Sequence, residues 1–492
     1  MTPTTWPLPC ARCGDLRQPG YALVSDTEVG CPACLLVGDR VTRSGLAEAA
    51  EEGLRPYQVA GVRRLAGSRG ALLADDPGLG KTAQALRALA ARGHPPALAI
   101  VPPGLRPQWA AEAHRWAPGY DRVKVLLPGE PWGWPEARQI LVAGYTYARG
   151  FAFEGAPRAP TVVVLDEAQA VKNPSAHQTR GVRIVCAKAR EAGGAVWLLT
   201  ATPAYGHVVE AWEVLRAAGL ERQLAPSRAR AQVLTEERAK RELRKVMLRR
   251  RVEDVAPDLP ACQVVQRVVA LDAALRGEVD RAAHRAAAAH RVRQETGQKV
   301  LDDAGRARAA ALDLPPAEVR AALEELADGG DEAPLATLRR LLALAKVPAA
   351  QELAAEYEAA GERVVVFSAH RAPVEALGKR PGWLTVLGGQ AGSRQESVDR
   401  FARGEAAGIA GTLGALGTGV DGLHRASRRG VFVDRDWTPA INAQARGRLR
   451  RLGALGGAVL ITELVADHPA DEVVTRALDR KEAHLEAVGL GV

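Results

Sequence analysis

The chain has 492 residues, 47% hydrophobic and 25% charged, enough for two or three domains with cores of their own and ordinary for a globular protein. No window reaches the ~18–20 continuous apolar residues of a spanning helix, and Met1 to Pro9 lacks a basic region followed by an apolar one, so a cytoplasmic protein without membrane contact is expected. The net charge of +9, with Arg far outnumbering Lys, favours a polyanionic partner, because cations that neutralise phosphates release counterions.

Four of the six cysteines form two Cys-x-x-Cys pairs, Cys10 with Cys13 and Cys31 with Cys34, with 17 residues between the pairs. Each pair presents two thiolates from a tight knuckle, and two knuckles complete a tetrahedral Zn2+ site. Disulfide bonding competes with this assignment, and a reducing compartment disfavours it. A zinc ribbon is therefore expected over 1–45, its metal folding a segment too small for its own core. Cys186 and Cys262 stand alone and are expected as small buried hydrophobes.

Next, short β-rich runs alternate with helical stretches: Leu72–Ala74, Leu98–Val101, Ile140–Val142, Val162–Leu165 and Val196–Leu199. Buried runs spaced by helices predict a parallel sheet of βαβ units, which places a first α/β lobe over 46–218. Asp75-Asp76-Pro77-Gly78-Leu79-Gly80-Lys81-Thr82 follows the first run and precedes a helical stretch from Ala83 to Ala91. Gly78 and Gly80 let the backbone wrap phosphates, Lys81 reaches the β- and γ-phosphates, and the Thr82 hydroxyl ligates Mg2+. The helix that follows points its N-terminal dipole at the same phosphates. Asp76 and Leu79 belong to this nucleotide-binding loop, and Asp75 occupies the first Gly position of the strict P-loop pattern. The run Val162–Leu165 ends in Asp166-Glu167, which suits a Mg2+-holding carboxylate followed by one that orients and deprotonates the attacking water.

From Gly219 to Ala350 no β run of similar quality appears, and the Ala-, Arg-, Glu- and Leu-rich composition predicts a helical linker or insertion over 219–350. Its basic clusters, Arg238 to Arg241 and Arg249 to Arg251, suit either a phosphate backbone or a solvated helix face. β-rich runs return at Val364–Phe367, Leu384–Leu387, Val431–Val433 and Val459–Ile461, predicting a second α/β lobe over 351–492.

The order of these motifs resembles superfamily 2 helicases, specifically the Swi/Snf-type translocases. Leu54-Arg55-Pro56-Tyr57-Gln58 is similar to the Q-like motif, which implies that Gln58 contacts adenine. Ile100-Val101-Pro102-Pro103 with Gln108, Trp109 and Glu112 resembles motif Ia, which faces the nucleic-acid track. Asp166 to Asn173 resembles motif II, and Leu199-Thr200-Ala201-Thr202-Pro203 resembles motif III, which couples hydrolysis to tracking. Ala345-Lys346-Val347-Pro348 is closer to the branch that includes annealing helicases. Gln444-Ala445-Arg446-Gly447-Arg448-Leu449-Arg450-Arg451 resembles motif VI, which implies that Gln444 contacts nucleotide and that Arg448 and Arg451 are arginine fingers. An Arg supplied from a second lobe stabilises the charge of phosphoryl transfer by ~10³–10⁵ in rate.

The resemblance implies two RecA-like lobes, ATP and Mg2+ as ligands, and catalysis by Lys81, Asp166, Glu167, Arg448 and Arg451. Its partner is expected to be double-stranded DNA, held mainly by its phosphates. Only 4% of the residues are aromatic, which leaves little material for a base-stacking single-strand channel. A strand-separating helicase and a nucleotide-gated binding scaffold are the alternatives. Without long heptad repeats, a monomer is expected.

Overall fold

A computed structural model describes residues 22–25, 28–30, 53–127, 130, 133–150, 155–204, 208–224, 235–256, 259–298, 300–328, 332–388, 394–417, 419–451, 453–487 and 490. The four cysteines of the expected zinc ribbon lie outside these residues. Between them in sequence, β1 (Ala22–Ser25) and β2 (Glu28–Gly30) pair antiparallel. The chain divides into two compact units, the first comprising Met1–Pro257 and Leu485–Val492 and the second Asp258–His484.

The first unit is built on β3 (Gly70–Leu73), β4 (Ala97–Val101), β5 (Arg122–Val125), β6 (Gln139–Gly144), β7 (Val162–Asp166), β8 (Ala195–Leu199) and β9 (Met247–Leu248). These seven strands are all parallel, in the order β5-β6-β4-β7-β8-β3-β9. Successive side chains of a strand point to opposite faces, and the two cores follow that alternation. Leu72, Leu98, Val163, Leu165, Val196 and Leu198 pack into one core, while Leu73, Ala99, Val162, Val164, Trp197 and Leu199 pack into the other. Burial on both faces is why these strands read as unbroken apolar runs. Truncating one of the central leucines to Ala costs ~2–5 kcal/mol by the transfer and cavity terms.

The second unit carries β10 (Cys262–Val269), β11 (Val364–Ser368), β12 (Trp383–Val386), β13 (Gly408–Thr412), β14 (Arg429–Phe432) and β15 (Val459–Ala466). They form a second parallel sheet in the order β10-β15-β14-β11-β13-β12. Again the faces alternate: Val365 and Phe367 enter one core, and Val364 and Val366 the other. A helical layer spans Ala273–Thr296, Asp303–Ala311, Pro316–Asp328 and Glu332–Ala345. The Asp272 carboxylate caps the first of these helices by accepting from the Leu275 amide at 2.8 Å. The small Ala282, Ala283 and Ala286 of that helix meet Leu323, Leu326, Leu338 and Leu342 in a common cluster.

The stretch 219–350 is thus not purely helical. β9 adds to the first sheet beside β3, and β10 adds eight residues to the second sheet in full register with β15. β9 is two residues long. β10 is an edge strand whose Val264, Val265 and Val268 are exposed, so neither strand produces the buried apolar run that reveals a central strand. Among the described residues, no helix is long and apolar enough to cross a membrane.

Candidate active site

β3 runs into the glycine-bearing loop, and the helix Lys81–Ala91 starts directly after it. Gly78 and Gly80 have φ of 85° and 72°, the left-handed region that side chains with a Cβ disfavour. At Gly80 a Cβ would also lie 2.5 Å from Gln58 Nε2. The sequence therefore needs glycine there for conformation and for space. Lys81 Nζ donates to the carbonyls of Asp75 at 2.6 Å and Asp76 at 3.1 Å, so the ammonium closes over its own loop. Burial pulls the Lys81 pKa below the ordinary lysine value, opposed by Glu167, Asp75, Asp166 and Asp76.

Around the loop lies a frame of buried polar groups. Gln58 accepts from the Arg55 amide at 2.9 Å and donates to the Leu79 carbonyl at 3.3 Å, which places its amide against the phosphate loop itself. Gln84 donates to Asp75 Oδ2 and to the same Leu79 carbonyl, both at 3.1 Å. Arg250 grips the Asp75 carboxylate with two nitrogens, Nε lying 2.9 Å from Oδ1, and reaches Gln84 Oε1 at 2.8 Å. Asp76 Oδ2 accepts from the Val252 amide at 3.1 Å, and Asp76 Oδ1 lies 3.4 Å from Arg249 Nη2. Two of the three arginines in the cluster at 249–251 are therefore tied to the loop's acidic pair, and Arg251 pairs with Glu486. This use of Arg249 and Arg250 replaces the expected backbone contact or solvated face. A buried carboxylate needs a cation, and Asp75 in a glycine position supplied the signal that one would be found nearby.

At the end of β7, Asp166 and Glu167 stand side by side. Asp166 Oδ2 accepts from Trp109 Nε1 at 2.7 Å, Oδ1 accepts from the Glu167 amide at 3.0 Å, and the Asp166 carbonyl accepts from the Tyr145 hydroxyl at 2.8 Å. Burial, with Glu167 next, pushes the Asp166 carboxyl up to about 6. Glu167 sits at φ 51°, a strained conformation for a residue with a Cβ and one that clusters at functional sites. Gln169 Nε2 donates to Glu167 Oε2 at 2.7 Å. Crowded, desolvated carboxylates of this kind are relieved by a divalent cation, so the chemistry of the Asp166 carboxylate fits Mg2+. Motif II and motif Ia meet here through the Trp109 indole, a contact that the sequence order of the motifs did not reveal.

In the second unit, Arg448 is buried and donates to the carbonyls of Gly417 at 2.8 Å and Val420 at 2.7 Å. Arg451 Nη1 donates to Asp421 Oδ1 at 2.8 Å. Both arginines are thereby set by the segment that follows β13, and Gln444 lies buried on the helix Pro439–Arg446 just before them.

The family described as SNF2-related domain matches residues 57–301. The match spans 245 of the 492 residues, just under half of the chain. The glycine-bearing loop and the Asp166–Glu167 pair both fall within the matched residues. Over 181 residues the chain is 32% identical to Helicase SWR1 of Candida albicans, a match covering 33% of this chain and 10% of that protein. It is also 32% identical over 172 residues to an uncharacterized ATP-dependent helicase of Mycoplasma pneumoniae, covering 32% of this chain and 16% of that protein. The matched region is thus a small share of either relative. Among solved structures, the Pyrococcus furiosus Hef helicase domain is similar with a TM-score of 0.50 at 17% identity, covering 89% of this chain and 99% of that one. Two parallel-sheet lobes of RecA-like helicase type are the shared fold.

Proposed function

We propose that the chain is a DNA-dependent ATPase that tracks on double-stranded DNA and remodels DNA or protein–DNA structures, in the manner of the branch that includes annealing helicases. The observation that carries this is the pairing of the SNF2-related domain's phosphate loop with an Asp166 carboxylate held by Trp109, a residue of the motif that faces the track. The basic balance of the chain and its low aromatic content support a duplex held by phosphates over a single strand held by stacking. Chromatin-remodelling and helicase names among the relatives point the same way.

In this mechanism the loop amides and Lys81 bind the phosphates, and Lys81 exchanges its carbonyl contacts for them. Glu167, fixed by Gln169, orients the attacking water and takes its proton on the carboxylate. Thr82 and Asp166 would hold Mg2+, which neutralises charge on the phosphate oxygens when bound. Arg448 and Arg451 stabilise the charge that develops on the γ-phosphate. Cys10, Cys13, Cys31 and Cys34 are proposed to hold Zn2+ in a small N-terminal ribbon.

The test is the ATPase rate with duplex DNA, single-stranded DNA, RNA or no polymer, with Glu167→Gln as the blank. Stimulation by duplex supports the proposal. Stimulation by single strands or RNA alone assigns a conventional helicase instead, and a wild type equal to its blank in every condition assigns a binding scaffold.

A further inference from the structure

β9 is short, but from its last residue onward the chain stays pinned along the phosphate loop. The Ala74 amide donates to the Leu248 carbonyl at 2.7 Å, and the Asp76 amide donates to the Arg250 carbonyl at 3.0 Å. Between those two anchors sits Arg249, whose guanidinium is almost wholly enclosed. Its Nη1 donates to the Ala201 carbonyl at 3.0 Å and lies 3.3 Å from the Ala74 carbonyl, while Nη2 faces Asp76 Oδ1 at 3.4 Å. One planar cation therefore spans three pieces of chain: the start of the phosphate loop, its acidic residue, and the segment after β8 that contains Thr200 and Thr202. The Thr200 amide is itself bonded to the Leu73 carbonyl at 3.1 Å, so that segment already shares the loop's frame.

The frame has a built-in reason to move when nucleotide binds. Lys81 now holds the Asp75 and Asp76 carbonyls, and a phosphate competes for its ammonium. Releasing those carbonyls frees the peptides around Asp76. Their displacement is passed to whatever grips the Asp76 side chain, namely Arg249 and the Val252 amide. The segment that carries both residues then runs on into the second unit, which begins at Asp258. A fork of five donors meets three separated acceptors at once, and a lysine ammonium on the same stem is a point charge that satisfies fewer of them.

We propose that Arg249 is the positioning residue that couples the shape of the phosphate loop to the segment 199–203 and to the chain leading into the second unit. This inference rests on the nucleotide binding of the proposed function but not on the identity of the polymer, so failed duplex stimulation with intact loop protection leaves it standing.

Hydrogen exchange on the full chain, with and without ADP and with and without a non-hydrolysed ATP analogue, tests it. In the wild type the analogue slows exchange at the loop 75–82 and also at 199–203 and 247–256. In Arg249→Lys the loop is still protected and nucleotide affinity stays within roughly threefold, but protection at the two distant segments is lost and kcat falls about tenfold with KM little changed. Asp76→Asn, which keeps an acceptor for the Val252 amide, reproduces that pattern even where Arg249→Lys loses thermal stability. Full protection at all three segments in both variants overturns the proposal. So does a wild type whose protection ends at the loop.

Discussion

The indole of Trp109 donates to Asp166 Oδ2 at 2.7 Å, joining the helix Arg106–Trp116 to the strand end that holds the carboxylate pair. Removing that donor takes the indole from Asp166 Oδ2, while the Glu167 amide still donates to Oδ1. Trp109→Phe, which keeps an aromatic ring in the core, is expected to raise the Mg2+ concentration for half-maximal ATPase by roughly tenfold, as loss of an outer-shell partner does. Titration of ATPase against Mg2+ checks this, and an unchanged midpoint would show that the indole only packs.

Gly61 is a second point at which the site depends on close approach. A Cβ there would lie 1.7 Å from Gln84 Oε1 and 2.9 Å from Arg250 Nη2. Gly61→Ala is expected to push Gln84 away from Asp75 and to cost about 1–3 kcal/mol, the usual scale of overpacking. Urea unfolding compares it with Gly67→Ala, whose nearest contact is a backbone carbonyl at 3.1 Å and whose cost is expected to be smaller.

In the second unit, Glu362 binds both Arg428 and Arg429, with Arg428 Nη2 at 2.8 Å and Arg429 Nη2 at 2.9 Å. The Arg429 hydrogen bond, against opposing desolvation and with help from Arg428, holds the Glu362 carboxyl below its ordinary 4.5. A depressed carboxyl stabilises the fold above its unfolded pKa, and that contribution is lost as pH falls through the folded value. Glu362→Gln is therefore expected to lower stability by up to about 1 kcal/mol at pH 7, a partly exposed pair being worth little. The difference from wild type closes below pH 4.5, and chemical denaturation at neutral and acid pH measures it.

The proposed zinc ribbon predicts its own stoichiometry. Purified protein is expected to carry one Zn2+ per chain, lost on Cys31→Ser, with metal analysis by mass spectrometry as the readout. A zinc content of zero in protein purified without chelator, together with oxidised thiols, would assign disulfides instead.

Much of this molecule was legible before any coordinate. The central strands announced themselves because burial on both faces leaves apolar runs such as Val162–Leu165 and Val364–Phe367. The phosphate loop was legible because Gly78, Gly80, Lys81 and Thr82 are required by backbone conformation and charge. Other features left no such signature. β10 shows exposed valines beside glutamines, a pattern that neither period explains, and β9 is too short to have a period. The roles of Trp109, Gln84, Arg249 and Arg250 depend on contacts made across 57, 9, 173 and 175 residues. Spacing along the chain cannot specify which carboxylate a distant arginine meets. Only the odd presence of Asp75 in a glycine position hinted that a buried partner had to exist.

The proposed activity is movement along an intact duplex. Its most direct test is displacement of a third strand from a triplex on duplex DNA, with ATP and with Glu167→Gln as the control. ATP-dependent release of the third strand by the wild type, none by the control, and a duplex that stays annealed are the expected outcome. Absence of release with active ATPase, or separation of the duplex strands themselves, would contradict it.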